Sequence, residues 1–339
     1  MRNLYLPAIG CRVAISLPRC LVLMLAAALM FVASDIGAQA PAGDRPIRLV
    51  VGYPPGGPVD VVARTLSMQL GENLKRPVIV DYAPGADGVI GTRQVVHSDP
   101  DGRTLVVASS SIAIQASTMP ATLPYDTLRD TTPIAFLGAS PFVLVVSPSL
   151  GVNTVAELIA LAKSKPGQLN YANTTSGGGG QFSAELLKSM GGIDVVGIPY
   201  KGGAPGEVAV MSGEVTFMFD SAPAALPLIK SGRLRALAVS TAKRSVVAPD
   251  VPSVAETLPG FDVPTWYGVY GPAGMSTQTV GYLNSEINKV LALPAVRERL
   301  TKVAVEVNPQ PPEGLAAFTR SEIAKFAKIA KDSGMRIDQ

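Results

Sequence analysis

Two glycine-rich segments of this chain offer backbone chemistry in place of side-chain chemistry. One covers residues 52–60 with the sequence GYPPGGPVD, and the other covers residues 173–181 with the sequence NTTSGGGGQ. Each follows an apolar run and precedes the apolar spacing of a helix. The first amides of a helix have no intrahelical partner and lie at the positive end of its dipole, and glycine lets a ligand approach them. Two such helix ends that faced each other would clamp an anion without Lys or Arg.

Polar residues stand at other predicted strand ends. Ser109 and Ser110 follow the strand 104–108, and Tyr200 with Lys201 follows the strand 195–198. Asp220 ends the strand 215–219; it is predicted to cap the next helix, and its second possible role is to accept a ligand hydroxyl or ammonium. The candidate ligand-binding residues are Tyr53, Pro54, Gly56, Gly57, Asp60, Ser109, Ser110, Thr174, Ser176, Gly177, Gly178, Gly179, Gly180, Tyr200, Lys201 and Asp220.

Simpler interpretations of these residues stay open at this point. Residues 55–57 would also suit an ordinary turn before a helix that begins at Pro58, with Asp60 holding the turn through backbone N–H groups. Residues 177–180 would also suit a disordered surface loop. Lys201 either faces an anion or is solvated. The likeness of the two glycine segments reflects either similar halves or common helix-end physics.

Several kinds of catalytic and cofactor site are missing from the sequence. The chain has one histidine, His97, for which a surface or capping role is predicted, and its two cysteines are Cys11 and Cys20. No G-x-S-x-G elbow occurs, and Pro58 and Val59 break the P-loop spacing that begins at Gly52. The second glycine segment completes no dinucleotide fingerprint. We therefore expect no enzyme activity, no cofactor and no metal site.

The N-terminal segment has the features of a secretion signal. Three arginines precede or flank an apolar run at 21–33, and small residues follow it. We predict a signal peptide at 1–38, cleaved after Ala38, and a periplasmic protein; cleavage after Ala40 and an uncleaved anchor are the alternatives. Cleavage removes three Arg and one Asp and lowers the formal charge from +3 to +1, so the chain has no basic surface that would indicate nucleic acid.

The rest of the chain alternates short apolar runs with helical patterns, which predicts an α/β fold with parallel strands. Ligands bind such sheets beyond the carboxyl ends of the strands. The pattern suggests a discontinuous lobe one at 39–141 and 262–339, and a lobe two at 142–261. The aromatic stretch 261–270 would cross back between the lobes, which places Trp266, the single tryptophan, near a hinge.

The mature chain carries a series of ordered motifs. These motifs are PIRLVV at 46–51, PPGG-x-x-D at 54–60, PGA-x-G-x-IG at 84–91, DPDG at 99–102, LPYD at 123–126, LNYA at 169–172, PYKG at 199–202, FD at 219–220 and LRALAV at 234–239. In this order they resemble one family, the substrate-binding receptors of tripartite tricarboxylate transporters, or Bug receptors. The chain departs from the family at Ser176 and residues 178–180, where side-chain hydroxyls or amides are usual. Pro58 also lacks an N–H that some members keep, and Tyr82-Ala83 replaces a common Asn-Arg.

The resemblance implies a type 2 periplasmic binding-protein fold with two lobes, a hinge and an interlobe cleft. It also implies a small organic carboxylate as ligand, held by backbone amides and ordered water, and the permease subunits of a tripartite transporter as partners. We expect a monomeric periplasmic receptor that delivers this ligand to the permease. One alternative is a ligand-sensing co-receptor for a signalling protein. Another is a hydrolase or isomerase, which the missing nucleophile–base set argues against.

Overall fold

The structure of the protein is a computed structural model that describes residues 45–174 and 177–334. The predicted signal peptide at 1–38, with Cys11 and Cys20, lies outside the described residues. The described residues all belong to one compact unit. Within the described part of the chain, no helix combines the length and the apolar character needed to cross a bilayer.

Ten strands of the described residues form two five-stranded sheets, each in its own lobe. The first sheet has the order β2-β1-β3-β10-β4, and the second has the order β7-β6-β8-β5-β9. The strands are β1 (Ile47–Val51), β2 (Val78–Tyr82), β3 (Thr104–Ser109), β4 (Thr131–Ser140), β5 (Phe142–Val146), β6 (Leu169–Asn173), β7 (Val195–Pro199), β8 (Phe217–Ser221), β9 (Arg235–Val239) and β10 (Thr265–Pro272).

Eleven α-helices of the described residues connect and cover these strands. They are α1 (Pro58–Leu74), α2 (Val89–Val96), α3 (Ser111–Thr118), α4 (Thr127–Asp130), α5 (Val155–Ser164), α6 (Gly179–Gly191), α7 (Gly203–Ser212), α8 (Ala222–Lys230), α9 (Thr277–Ala292), α10 (Pro294–Thr301) and α11 (Pro312–Ser333). Short 3₁₀ turns lie at Ala86–Gly88, Pro148–Leu150 and Val254–Glu256.

Local sequence accounts for most of these elements. The run Ile47–Val51 is apolar apart from Arg48, because its sheet is covered on both faces: Leu49 and Val51 pack into one core and Val50 into another. Helix α1 begins at Pro58, a position where a backbone N–H would have no partner within the helix. Val62 and Leu66 are buried on its inner face. It ends at Lys75 in the left-handed conformation, with φ of 50°.

The two sheets have the same internal plan. In each, three parallel strands are followed by one antiparallel strand, β10 in the first sheet and β5 in the second, and then by a final strand. Strand β5 follows β4 of the first sheet, and β10 follows β9 of the second. Each lobe therefore receives its antiparallel strand directly after the chain leaves the other lobe.

The crossings between the lobes place the carboxyl edges of the two sheets next to each other. Only Pro141 separates β4 from β5, and Ser140 and Phe142 both lie at the edge where the parallel strands of their own sheets end. Ser240 braces the crossings: its Oγ donates to the Val263 carbonyl over 2.7 Å and accepts from the Phe142 amide over 3.0 Å. The interlobe cleft opens at these edges.

The last helix, α11, contacts both lobes. Its Phe326 ring meets Phe182 of α6 edge-to-face at 4.9 Å, and its Phe318 meets Trp266 of β10 at 5.4 Å. Trp266 is fully buried, and its indole N–H donates to Glu322 over 3.1 Å. A movement of α6 relative to the first sheet would therefore disturb the surroundings of the single tryptophan.

Candidate functional site

After β1 and β6, Gly56-Gly57 and Gly177-Gly178 have the same backbone conformation. Gly56 and Gly177 have φ of 97° and 71°, where glycine is favoured. The next residue is the N-cap in both cases: Gly57 has φ of −80° and ψ of 172°, and Gly178 has φ of −84° and ψ of 161°. No side chain of the described residues caps α1 or α6. The first amides of both helices are therefore available to a ligand or to water.

A side chain on the first helical turn locks each of these turns. The Gly56 amide donates to Asp60 Oδ2 over 2.8 Å, and the Gly177 amide donates to Gln181 Oε1 over 2.7 Å. Asp60 is buried, and the Tyr82 hydroxyl donates to its other oxygen over 2.6 Å. Both oxygens of Asp60 are thus occupied, so we assign it to the turn and not to direct ligand contact. Gln181 had not been singled out from the sequence.

Residues 179 and 180 are glycines because α6 starts against the second sheet. A Cβ on Gly179 would lie 2.6 Å from the Phe142 ring, and one on Gly180 would lie 2.7 Å from the Phe219 carbonyl oxygen. Gly57, the N-cap of α1, has nothing among the described residues within 4 Å of an added Cβ. The quadruple glycine begins a packed helix, unlike the disordered loop that the sequence left open.

Tyr53 ties the loops of the first lobe together. Its hydroxyl donates to the Asp87 carbonyl over 3.0 Å and hydrogen-bonds to Ser109 Oγ over 2.8 Å. Ser109 Oγ also accepts from the Ser111 amide, over 3.3 Å. Desolvation by burial, followed by the charge of Asp87, raises the pKa of Tyr53 well above its usual value. The phenol therefore stays protonated and acts as a donor.

The loop after β2 adds Asp87, which the sequence analysis missed. Ala86 and Asp87 have φ of 46° and 50°, and the Gln115 side chain holds the Asp87 carbonyl over 2.8 Å. The Asp87 side chain remains accessible to solvent. Desolvation by the surrounding loops raises the pKa of its carboxyl, and this effect outweighs the hydrogen bonds from Ser111 and Tyr53, which lower that pKa. The only signal in the sequence was an Asp between glycines, a residue type that tolerates the left-handed backbone conformation of such a turn.

Other predicted site residues have mainly structural contacts. Ser110 is buried, and its Oγ lies 3.2 Å from Thr265 Oγ1 at the start of β10, so it joins β3 to the interlobe crossing. Thr174 is half-buried and directs its methyl group toward Gly206 of α7. Pro54 is exposed at the rim of the first turn. Ser176 lies outside the described residues.

The motif after β7 places its two side chains differently. The Tyr200 hydroxyl donates to Glu214 Oε1 over 3.1 Å. Glu214 lies beyond the far end of α7, so the phenol points along that helix and not toward the glycine turns. Lys201 is exposed and forms no ion pair with a described residue. It is the one cation of the candidate set that is free to approach an anion.

Asp220 does not cap the following helix, contrary to the prediction. Ser221 is the N-cap of α8, whereas Asp220 is the fourth residue of β8 and is only 5% exposed. Its Oδ1 accepts from the Ser221 amide over 2.8 Å, and its Oδ2 has no hydrogen-bond partner among the described residues. Burial, and secondarily the charge of Glu207, raises the pKa of Asp220 to about 7. The strand extends to Ser221 because β8 pairs with β5 up to Phe142.

Comparison with known proteins decides the family. Residues 62–335 match the tripartite tricarboxylate transporter family receptor. The chain belongs to this family. The match confirms the resemblance that the ordered motifs indicated.

Several relatives of this receptor match over nearly their whole length. Protein BugT of Bordetella pertussis is 36% identical over 296 residues, which are 86% of this chain and 90% of that protein. The structure of Rpa4515 from R. palustris with adipate has a TM-score of 0.74 and 32% identity, and covers 86% of this chain and 97% of its own. MatC from Rhodopseudomonas palustris with bound malate has a TM-score of 0.70 and 30% identity, with 84% and 98% covered. These neighbours confirm the two-lobed binding-protein fold.

The receptor is therefore a solute-binding protein. No group of three His, Cys, Asp or Glu side chains in the described ranges is arranged to hold a metal ion. The polar groups at or just after the carboxyl ends of the described strands are the uncapped helix ends, the Tyr53 hydroxyl, Lys201 and two carboxyls with raised pKa, Asp87 and Asp220.

The buried carboxyl of Asp220 makes the unliganded receptor more stable in mild acid. Its folded-state pKa lies above the unfolded value, so the folded protein binds the extra proton, and stability falls as the pH rises from about 4 through 7. Between pH 5.5 and pH 8 we expect a loss of about 2 kcal/mol from this group. Urea unfolding at both pH values measures it. An Asp220→Asn variant should lose that part of the pH dependence, and an unchanged slope would contradict the assignment.

Proposed function

We propose that this receptor captures a small organic carboxylate between its lobes in the periplasm, as a monomer, and delivers it to the permease subunits of a tripartite transporter. The observation that supports this is the pair of uncapped, glycine-lined helix ends at two adjacent sheet edges. An anion placed between them would receive backbone hydrogen bonds from both lobes. Adipate and malate in the structures of Rpa4515 and MatC are ligands of this chemical class.

The energetics favour contributions from both lobes. Micromolar affinity corresponds to about −8 kcal/mol, while association itself costs roughly 4–15 kcal/mol. Hydrogen bonds to a charged group contribute about 1.5–3 kcal/mol each. With middle values of these ranges, micromolar binding would require about five to eight hydrogen-bond donors. One helix end offers fewer than that, so the proposed mechanism needs the lobes, 39–141 with 262–339 and 142–261, to close on the ligand.

Closure would turn about the two crossings, at Pro141 and between Ser240 and Thr265. The ligand carboxylate would first contact one helix end, and closure would bring the second end onto it. Bound and closed states are then linked, because the ligand gains donors only in the closed form. The family consists of receptors, and we propose that this chain likewise does no chemistry on its ligand.

A screen of purified protein against mono-, di- and tricarboxylates tests the proposal. We expect at least one acid to raise the melting temperature, to bind in calorimetry, and to change the emission of Trp266, because α11 connects the tryptophan to α6. Matched amides of the same acids should not bind. If no carboxylate binds, or if amides bind equally well, the anion clamp is wrong. Co-purification with candidate permeases or with sensor proteins separates delivery from signalling.

A further inference from the structure

A second group of polar atoms lies in lobe two beside the start of α7. Gly203 begins this helix, and its N-cap Gly202 has φ of 98° and provides no side-chain cap. A Cβ on Gly203 would lie 3.4 Å from Glu207 Oε1 and 3.9 Å from Asp220 Oδ1. Both carboxyls therefore border the space that the missing side chain leaves open.

Asp220 is the member of this group that lacks a partner. Its side chain is buried, one oxygen accepts from the Ser221 amide, and the other has no partner in the described part of the chain. A buried polar atom without a hydrogen bond is costly, and native proteins retain few of them without a functional reason. The atom that would satisfy an unpartnered carboxyl oxygen beside a second carboxylate is a hydrogen-bond donor.

The position of Asp220 in the second sheet places it at the edge that carries the glycine turn. Asp220 is the last residue but one of β8, at the same carboxyl edge as the glycine turn after β6. The start of α6 also touches this strand end, since a Cβ on Gly180 would approach the Phe219 carbonyl. A ligand held at the start of α6 would thus have Asp220 within the same lobe and at the same edge.

We propose that Asp220 determines ligand specificity by accepting a hydrogen bond from a hydroxyl or ammonium group on the bound carboxylate. The inference rests on the proposed function and adds the substrate class: hydroxy- or amino-substituted carboxylates over unsubstituted acids. A bare hydrocarbon chain leaves Asp220 unsatisfied, and a second carboxylate at this position would face the charges of Asp220 and Glu207. A ligand hydroxyl can also accept hydrogen bonds from the first amides of α7. A ligand ammonium has no acceptor, so it can only donate hydrogen bonds to the carboxylates of Asp220 and Glu207.

Matched ligands test this inference on the unmodified receptor. Calorimetry would compare succinate, L-malate and L-aspartate, then glutarate, 2-hydroxyglutarate and L-glutamate, and then adipate with its 2-hydroxy and 2-amino derivatives. In the series whose chain length fits the cleft, we expect the hydroxy or the amino acid to bind at least tenfold more tightly than the unsubstituted acid. If the receptor prefers the hydroxy acid, Asp220 accepts from a hydroxyl; if it prefers the amino acid, Asp220 accepts from an ammonium.

The isosteric variant Asp220→Asn should reduce that preference to less than threefold, and most of the change should fall on the affinity for the substituted acid. The control is Asp194→Asn, in the same lobe but exposed and at the amino end of β7, which should keep the full preference. Equal affinity of the unmodified receptor for substituted and unsubstituted acids would overturn the inference and leave the proposed function standing. An equal loss of affinity for all ligands in Asp220→Asn would also overturn the inference. Failure of every carboxylate to bind would instead refute the proposed function, and this inference with it.

Discussion

Replacing Gly180 by alanine is expected to weaken ligand binding about 10- to 100-fold, because the new methyl group collides with backbone. Its Cβ would lie 2.7 Å from the Phe219 carbonyl oxygen, which is fixed within β8. The strand cannot yield without breaking its pairing with β5, so the start of α6 must move away from the sheet. That movement displaces the first amides of α6, which are the donors that lobe two offers.

Calorimetry with the best ligand of the carboxylate screen measures this loss, and thermal unfolding measures the accompanying fall in stability. The matched control is Gly281→Ala, an exposed position inside α9 with nothing within 4 Å of the new Cβ. Because alanine is the better helix former, that variant should bind normally and gain about 0.5–1 kcal/mol in stability. Unchanged affinity in Gly180→Ala would mean that the α6 end does not contact the ligand.

Replacing Asp60 by alanine is expected to lower the free energy of unfolding by about 2–4 kcal/mol and to weaken binding as well. The substitution removes two charge-assisted hydrogen bonds, from the Gly56 amide and from the Tyr82 hydroxyl. The first turn would then lose the contact that holds Gly56 at its positive φ. The amides of α1 would no longer be fixed toward the cleft, so the affinity should fall together with the stability.

The variant Gln181→Ala is the comparison for Asp60→Ala, since Gln181 locks the second turn by accepting a neutral hydrogen bond from the Gly177 amide. We expect it to cost only about 0.5–1.5 kcal/mol. Urea unfolding of both variants gives the difference directly. If Asp60→Ala abolished binding at unchanged stability, Asp60 would be a ligand contact and our assignment of it to the turn would be wrong.

Much of the secondary structure was predictable because it depends on neighbours in the chain. The apolar run Ile47–Val51, Pro58 at the first position of α1, and the glycines that open α6 all follow from period, turn chemistry and helix-end preferences. The family was also predictable, because its motifs are spread along the whole mature chain.

The prediction for Asp220 failed for a physical reason. An Asp after an apolar run and before a helix favours an N-cap, but pairing of β8 with β5 extends the strand through Ser221. The carboxyl thereby becomes buried beside Glu207, and its pKa rises. A residue-by-residue pattern contains no information on which distant strand pairs with which, so neither the burial nor the missing partner was visible.

Asp87, Gln115 and Ser240 escaped the sequence analysis for the same kind of reason. Ser240 is one of many serines, and only the crossing of two segments beside it makes it the brace between Phe142 and Val263. Gln115 matters because it reaches the Asp87 carbonyl from another element. Contacts of this type join residues far apart in the chain, which leaves no local periodicity to detect.

The amino-acid sequence by itself determined that two glycine-lined helix ends exist, since the conformations of Gly56 and Gly177 and the helices after them are set within a few residues. Only the tertiary structure decided that these ends belong to adjacent sheet edges. Strand β5 directly follows β4 of the first sheet, β10 follows β9 of the second, and these two crossings bring the carboxyl edges together. Strand pairing across more than a hundred residues is a property of the whole folded chain, because it depends on which apolar faces can be buried together.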